Sequence, residues 1–217
     1  MPMDENEQTL LVQLDEALEL AFRKAVVLAR RVCMGERIYA FILYTSPLLG
    51  YAAPCFNTEE ALAQVIKENK SIDYWRWSPE EWKYNWQGQE FFESVNEILI
   101  SIAQSQGYEA PKRQRRWDTF IQVLKRLDSE GVFADAQDRG SVLVNIMWGD
   151  QDAVAHLESA RELNPMSSYL SFARCQLPIL YSLKQEIEQS QSRSTEESMM
   201  RVCRCIEQVE ADLRDYS

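Results

Sequence analysis

The sequence contains little glycine and little proline, with seven of each among 217 residues. Long flexible linkers and collagen-like or low-complexity chains are therefore excluded. The chain also lacks any apolar run of the about 20 residues that a membrane-spanning helix needs. The longest apolar run, IYAFILY at residues 38–44, has the length of a strand, so we expect no membrane association.

Histidine is nearly absent, which restricts the chemistry open to the chain. His156 is the only one, so a Ser-His-Asp or Cys-His arrangement would have to use it, and its place inside a predicted helix argues against that role. The motifs GxxxxGK[ST], GxGxxG, GxSxG and HExxH are absent as well, which disfavours common nucleotide and hydrolase chemistry. We therefore expect no metal or other cofactor and a non-enzymatic protein.

The five cysteines are odd in number and scattered, at positions 33, 55, 175, 203 and 205. Such a set is typical of a reducing compartment and not of a disulfide framework. The start MPMDENEQ is acidic, where a secretory signal would be basic. We expect a cytoplasmic protein.

Charge of one sign dominates, because 34 acidic residues face 23 basic ones and the formal net charge is −11. Such a chain repels nucleic acid and attracts a basic protein partner. One dense basic run, KRQRR, occupies residues 112–116. It forms either an anion-binding patch or, as we expect, a solvated stretch that pairs with the acidic surplus. The oligomeric state stays open.

Apolar periodicity predicts an α+β fold, with a small, mainly antiparallel sheet packed with several helices. A 3-4-3-4 stripe from Leu11 to Val32 predicts a first helix over about residues 6–33. Asn57 and Ser78 are predicted to cap the helices that follow them. Three strands are predicted, at residues 38–44, 50–53 and 142–148. Residues 1–165 form the predicted α+β domain, and residues 166–217 a helical C-terminal extension packed on it.

Several short segments resemble one protein family. They are YAFILYT (39–45), AAPCFNTEE (52–60), WSPEEWKY (77–84), the pair Glu130-Gly131, the 142–150 strand and ESARELNP (158–165). In this order and spacing, residues 5–165 resemble a bacterial domain-of-unknown-function family, numbered 4303. The resemblance implies a cytosolic bacterial protein and carries over no catalytic residues. Some families of this kind serve as immunity proteins for secreted toxins, and that analogy suggests a similar binding role.

The segment DYWRWSPEEWKYNW, residues 73–86, holds four of the six tryptophans. Exposed indole rings anchor protein partners or stack on small ligands, whereas buried ones close the edge of a sheet. Spacing places Trp82 and Trp86 on one helical face, and Trp75 and Trp77 on one face of an extended segment. This arrangement favours packing, and binding at these four residues is the alternative.

Two acidic residues follow the third predicted strand in the sequence GDQD. Asp150 and Asp152 can hold Mg²⁺ or act as acid and base at the end of a strand, or they can cap the next helix. Capping is the interpretation that we favour. Tyr44, at the end of the first predicted strand, completes the candidate binding set.

Three functions compete on these observations. The first is a non-enzymatic acidic interaction protein that binds a basic partner, such as a toxin bound by its immunity protein. The alternative is an enzyme or small-ligand-binding protein that uses carboxylates near Asp150 and the tryptophan cluster. A nucleic-acid binder acting through residues 112–116 ranks last, because the net charge opposes it.

Overall fold

A computed structural model describes residues 5–68, 72–106, 110–149, 152–189 and 195–216. Within these residues the chain forms eight α-helices and four strands. The helices are α1 (Glu5–Val32), α2 (Glu59–Glu68), α3 (Ile72–Arg76), α4 (Glu93–Gln106), α5 (Ala110–Ser129), α6 (Ala153–Leu163), α7 (Met166–Gln189) and α8 (Thr195–Asp215). The strands are β1 (Ile38–Thr45), β2 (Ala52–Thr58), β3 (Tyr84–Asn85) and β4 (Leu143–Met147).

The four strands form one sheet in the order β3-β2-β1-β4. β2 pairs antiparallel with both β1 and β3, whereas β4 pairs parallel with β1. Ile42 at the middle of β1 lies between Cys55 of β2 and Asn145 of β4. The predicted α+β class and mainly antiparallel sheet are confirmed.

The sheet is buried on both faces because β1 is apolar on both, as its sequence predicts. On the first face, α1, α4 and α5 cover side chains that include Phe41, Leu43 and Val144. On the second face, α2, α6, α7, α8 and two tryptophans cover a set that includes Ile42 and Tyr44. The C-terminal helices α7 and α8 thus share a core with the sheet, and the domain division at residue 165 stays a prediction.

Two of the predicted helix caps are wrong. Asn57 belongs to β2, where its Nδ2 donates to the Tyr39 hydroxyl at 3.1 Å, and Thr58 caps α2 by accepting from the Ala61 amide at 3.0 Å. Ser78 accepts no capping hydrogen bond, and its hydroxyl donates to the Tyr74 carbonyl at 2.7 Å. Only a short 3-10 turn, Pro79–Glu81, follows Ser78.

In the described part of the chain, no helix combines the length and the apolar character needed to cross a membrane. The longest, α1, has 28 residues, and its buried residues, among them Leu14 and Leu18, lie on the side that faces the sheet.

Candidate functional site

Tyr44 lies at the centre of the best candidate site. It stands near the end of β1, opposite Met147 at the end of the parallel strand β4. The carboxyl ends of parallel neighbours meet at one edge of a sheet, which is where ligands bind in many α/β proteins. The Tyr44 hydroxyl donates to Glu80 Oε1 at 3.1 Å. Burial, aided by the negative charge of Glu80, raises the pKa of Tyr44, so its hydroxyl keeps its proton.

A small cleft, here the carboxyl-end cleft, opens beside this hydrogen bond. It has a volume of about 190 Å³. Its walls combine three aromatic side chains, two carboxylates and the single histidine; these are Tyr74, Trp77, Trp148, Glu80, Glu81 and His156.

Gly149 allows the walls of this cleft to approach one another. A β-carbon at Gly149 would lie 2.7 Å from Glu80 Oε1 and 2.8 Å from the Tyr44 hydroxyl. These separations are shorter than a van der Waals contact, so a side chain at this position would push Glu80 and Tyr44 apart. A glycine at this position therefore allows the hydrogen bond between Tyr44 and Glu80 to lie directly against the backbone where the chain leaves β4.

Two ring nitrogens at the floor of the carboxyl-end cleft differ in their partners. His156 Nε2 accepts from the Trp148 amide at 3.2 Å, so the proton of the neutral ring lies on Nδ1. Burial lowers the pKa of His156 to about 4, although Asp152 opposes the shift. Trp77 Nε1 is buried and has no hydrogen-bond partner among the described residues. It is a donor without an acceptor, which costs about 1–3 kcal/mol of stability.

A second cleft, here the edge cleft, lies on the other side of Tyr44, between β2 and the start of α4. It measures about 360 Å³, and its walls are formed by Tyr51, Ala52, Ala53, Trp86, Gln89, Glu90, Glu93 and Asn96. The Trp86 ring packs edge-on against Tyr44, with 4.9 Å between the ring centroids. Trp86 adopts a φ of 58°, a conformation that is strained for a bulky residue.

Both clefts are acidic. Each contains two exposed carboxylates, those of Glu80 and Glu81 in one and of Glu90 and Glu93 in the other. No lysine or arginine stands among the described residues that line either cleft. None of the four carboxylates takes part in an ion pair within the described ranges. The surface around Tyr44 is therefore both aromatic and uncompensated in negative charge; we call it the acidic aromatic surface.

The tryptophan segment divides between packing and this surface. Trp82 is 3% exposed, and its Nε1 donates to the Trp75 carbonyl at 3.1 Å. Trp75 is half-buried and lines neither cleft. Trp77 is buried but borders the carboxyl-end cleft, and half-buried Trp86 borders the edge cleft. Of the candidate tryptophans, Trp86 packs on Tyr44 and Trp77 borders the carboxyl-end cleft, and their binding role stays a prediction.

Asp152 acts as a helix cap. Its Oδ1 accepts from the Ala155 amide at 3.0 Å, and Arg201 approaches its other oxygen at 3.7 Å. Asp150 lies outside the described residues, so its predicted role stays a prediction. Within those residues, no group of three or more His, Cys, Asp or Glu side chains is placed to hold a metal ion.

The basic run at 112–116 is largely engaged inside the protein. Arg116 is 1% exposed and donates to the Leu48 carbonyl at 3.2 Å. Arg115 pairs with Glu7 at 2.6 Å, and Arg113 donates to the Pro47 carbonyl at 2.5 Å. These contacts fasten α5 to α1 and to the turn after β1. The predicted pairing with acidic residues is seen at Arg115 and Glu7, but the run is not solvated throughout, because Arg116 is buried.

Several residues of the two clefts are not predicted from the sequence to be site residues. Glu90, Glu93 and Tyr51 carry no motif, and they reach Tyr44 only through the β1–β2 pairing and the turn at Trp86. Glu80 and Glu81 read as the first turn of a helix. The one sequence feature that points to this region is that Tyr44 and the sequence GDQD both stand at the ends of predicted strands.

Comparison with known proteins gives a family and little else. No curated protein and no solved structure matches the chain. A family model matches residues 18–165, which include β1, β4, the edge cleft and the carboxyl-end cleft apart from its lining residues Gln176 and Ile179. The chain belongs to the family described as a domain of unknown function, DUF4303.

Proposed function

We propose that the protein is a non-enzymatic binding protein whose acidic aromatic surface recognises a basic protein partner. One observation carries the proposal: two clefts on either side of Tyr44 join aromatic walls to four carboxylates, with no lysine or arginine among their described lining residues. In either cleft a lysine or arginine side chain can contact both an aromatic ring face and a carboxylate, the two groups that bind such cations.

The edge cleft offers the clearer receptor for such a side chain. Trp86 is half-buried and Tyr51 is 38% exposed, so their rings provide area that a partner can cover. Glu90 and Glu93 are exposed beside them. Aromatic anchors with a rim of opposite charge are typical of protein interfaces, in which the charges raise the rate of association.

Acid–base catalysis finds little support in the same residues. His156, the only histidine, is neutral because burial lowers its pKa to about 4. The Tyr44 hydroxyl has a raised pKa, which makes it a poor base near neutral pH. A general base works best when its pKa lies near the working pH. The net charge of −11 and the analogy with immunity families favour a basic toxin as the partner.

The test is an affinity capture from the source organism at low salt, followed by titration of each purified captured protein. Glu80, Glu81, Glu90 and Glu93 are all changed to Gln in the test variant. The control variant changes four exposed carboxylates of α7 and α8 to Gln, namely Glu186, Glu196, Glu197 and Glu207. Both variants alter the net charge equally.

We expect a basic partner whose affinity falls at least about 100-fold in the test variant and less than about threefold in the control. Equal losses of affinity in the two variants would show that the partner binds through general charge attraction and not at the acidic aromatic surface. Captured proteins without a basic surface would overturn the proposal.

A small cationic ligand in the carboxyl-end cleft is a second candidate. The observation that favours it is the buried Trp77 Nε1, which has no acceptor among the described residues. A volume of about 190 Å³ admits a few non-hydrogen atoms, such as an amine that carries a hydroxyl group. Ethanolamine is a suitable probe, with acetate as control, in titrations followed by tryptophan fluorescence. A response to ethanolamine that survives in the Trp77→Phe and Glu80→Gln variants would eliminate this site.

A further inference from the structure

The outer face of α1 carries an apolar row that the fold leaves uncovered. Val12 is 48% exposed, Leu20 54%, Val27 68%, and Met34, just beyond the helix, 86%. With about 100° of rotation per residue, Val12, Leu20 and Val27 fall within about 80° of one another. Buried Leu14 and Leu18 lie on the opposite side of the helix. Exposed large apolar side chains in a row mark an interaction surface.

Charges on the same face are segregated along the helix. Exposed Glu16 lies in the N-terminal half, whereas exposed Lys24 and Arg31 lie in the C-terminal half. Lys24 has its ammonium group 6.0 Å from the centre of the Phe91 ring, and Glu16 forms no ion pair within the described ranges. A partner helix that runs in the opposite direction and carries the same charges would place Glu16 of each chain against Lys24 of the other.

A groove of about 350 Å³ lies beside the row, lined by Arg23, Lys24, Val27, Leu28, Arg31 and Phe91. Lys24, Val27, Leu28 and Arg31 follow the spacing i, i+3, i+4 and i+7. Four residues at this spacing form the hole that receives one apolar side chain of a facing helix in a coiled coil.

We propose that two copies of the chain form a symmetric dimer by antiparallel packing of their α1 helices. With the twofold axis at Leu20, this residue meets its own copy. Glu16 of each chain then faces Lys24 of the other, and Val12 of each chain enters the groove between Val27 and Leu28 of the other. Twofold symmetry repeats every contact, as in most homodimers. This inference is independent of the proposed function, because none of these residues lines either cleft.

The antiparallel direction follows from charge and from shape together. A parallel pair would bring Glu16 beside Glu16 and Lys24 beside Lys24, and like charges at such distances repel. It would also leave the groove facing a second groove, with no apolar side chain to enter it. The contact involves one helix per chain, so we expect a monomer–dimer equilibrium in the micromolar range.

The test is sedimentation velocity of the full chain from low to high micromolar concentration, with charge-exchange variants. The Glu16→Lys and Lys24→Glu variants each place two pairs of like charges in the contact, so each should weaken dimerisation at least about tenfold. The variant with both changes restores opposite charges and should recover the affinity to within about threefold. Glu186→Lys on α7 is the control for a general charge effect.

Three results would overturn the proposal. They are a monomer at every concentration, a dimer that is insensitive to the single variants, and a double variant that is as weak as either single one. Since Glu16 and Lys24 are exposed, the variants should unfold at the temperature of the unmodified protein at low concentrations, where all of them are monomeric. A further variant, Leu20→Asp, should also give a monomer.

Discussion

The two faces of the sheet are buried by different chemistry. On the first face, almost every buried side chain is aliphatic or phenylalanine, and the Asn96 side chain on α4 hydrogen-bonds the amide and carbonyl of Ala52 at the start of β2. The second face buries tyrosine, tryptophan, asparagine, histidine and serine, including Asn145 and Ser159 at 0% exposure. The first face holds the fold together, and the second positions the groups around the carboxyl-end cleft.

The second face buries polar groups, which lowers the free energy of unfolding relative to apolar packing. Asn145 Nδ2 donates to the His156 carbonyl at 3.0 Å, and Ser159 Oγ donates to Asn145 Oδ1 at 2.5 Å. These bonds fix α6 against β4, and His156 on α6 then holds the Trp148 amide. Buried polar networks give less stability than apolar packing but define geometry more strictly. A binding site requires side chains held in such defined positions.

The largest expected effect comes from the first face. Phe22 is 2% exposed, and its ring meets those of Phe92 and Phe133 at 5.3 and 6.0 Å. Phe22→Ala should lower the free energy of unfolding by about 3–5 kcal/mol, through lost burial and the cavity left behind. Guanidinium denaturation measures it. A loss below about 1 kcal/mol would mean that this face is loosely packed.

Removing the polar network tests the second face. Asn145→Ala leaves the Ile146 amide without the acceptor that it has at 2.9 Å, and the free energy of unfolding should fall by up to about 3 kcal/mol. Ser159→Ala should have a smaller effect. The double variant should lose less than the sum, by at least about 0.5 kcal/mol, because the two residues share one hydrogen bond. Strict additivity in urea denaturation would show that they act separately.

Acid should weaken the second face selectively through His156. Its folded-state pKa of about 4 lies below the ordinary value of 6.5, so the unfolded chain takes up the proton first as the pH falls. The contribution to stability is intact above pH 6.5 and declines between pH 6.5 and 4. Between pH 7.5 and 5 the loss should be about 2 kcal/mol.

His156→Gln is the matched variant for this measurement, since its amide oxygen can accept from the Trp148 amide and does not titrate. Urea denaturation at each pH should give a shallower dependence for this variant by the same amount. Parallel pH profiles for the two proteins would contradict the buried, neutral state of His156.

The smallest effect concerns the end of α6. Asp152→Ala removes the capping acceptor of the Ala155 amide, and the free energy of unfolding should fall by about 1 kcal/mol. Asp152→Asn keeps an oxygen in place and should lose only a few tenths. Thermal unfolding distinguishes the two variants. Equal losses would assign the role of Asp152 to its charge and to Arg201 instead.

Much of the fold can be predicted from apolar spacing. The predicted spans 6–33, 38–44 and 142–148 match α1, β1 and β4 to within one or two residues, because long periodic segments bury one defined face. β2 is longer than predicted, since Asn57 and Thr58 stand before two glutamates and resemble a helix start. β3 has two residues, too few for any pattern. It exists only through its pairing with β2.

The site is less predictable, because it is assembled across the chain. Tyr44, Trp77 and Trp86 can be singled out by residue type and by their place at strand ends or in an aromatic segment. Trp86 reaches Tyr44 through the pairing of β1 with β2 and of β2 with β3, and the carboxyl-end cleft depends on the parallel pairing of β1 and β4, about 100 residues apart in sequence. The sequence pattern carries no information on which carboxylates remain unpaired, which is settled by the positions of arginines elsewhere in the fold.

Cys55, in the middle of the sheet, offers a way to time the opening of the molecule. It is 1% exposed, and burial raises the pKa of its thiol to about 12. Only the thiolate reacts with an alkylating reagent, so Cys55 becomes modified only when β2 separates from its neighbours. Cys175 and Cys203 are less buried and provide an internal standard for reagent access. The native chain thus carries its own reporter of how often the sheet comes apart.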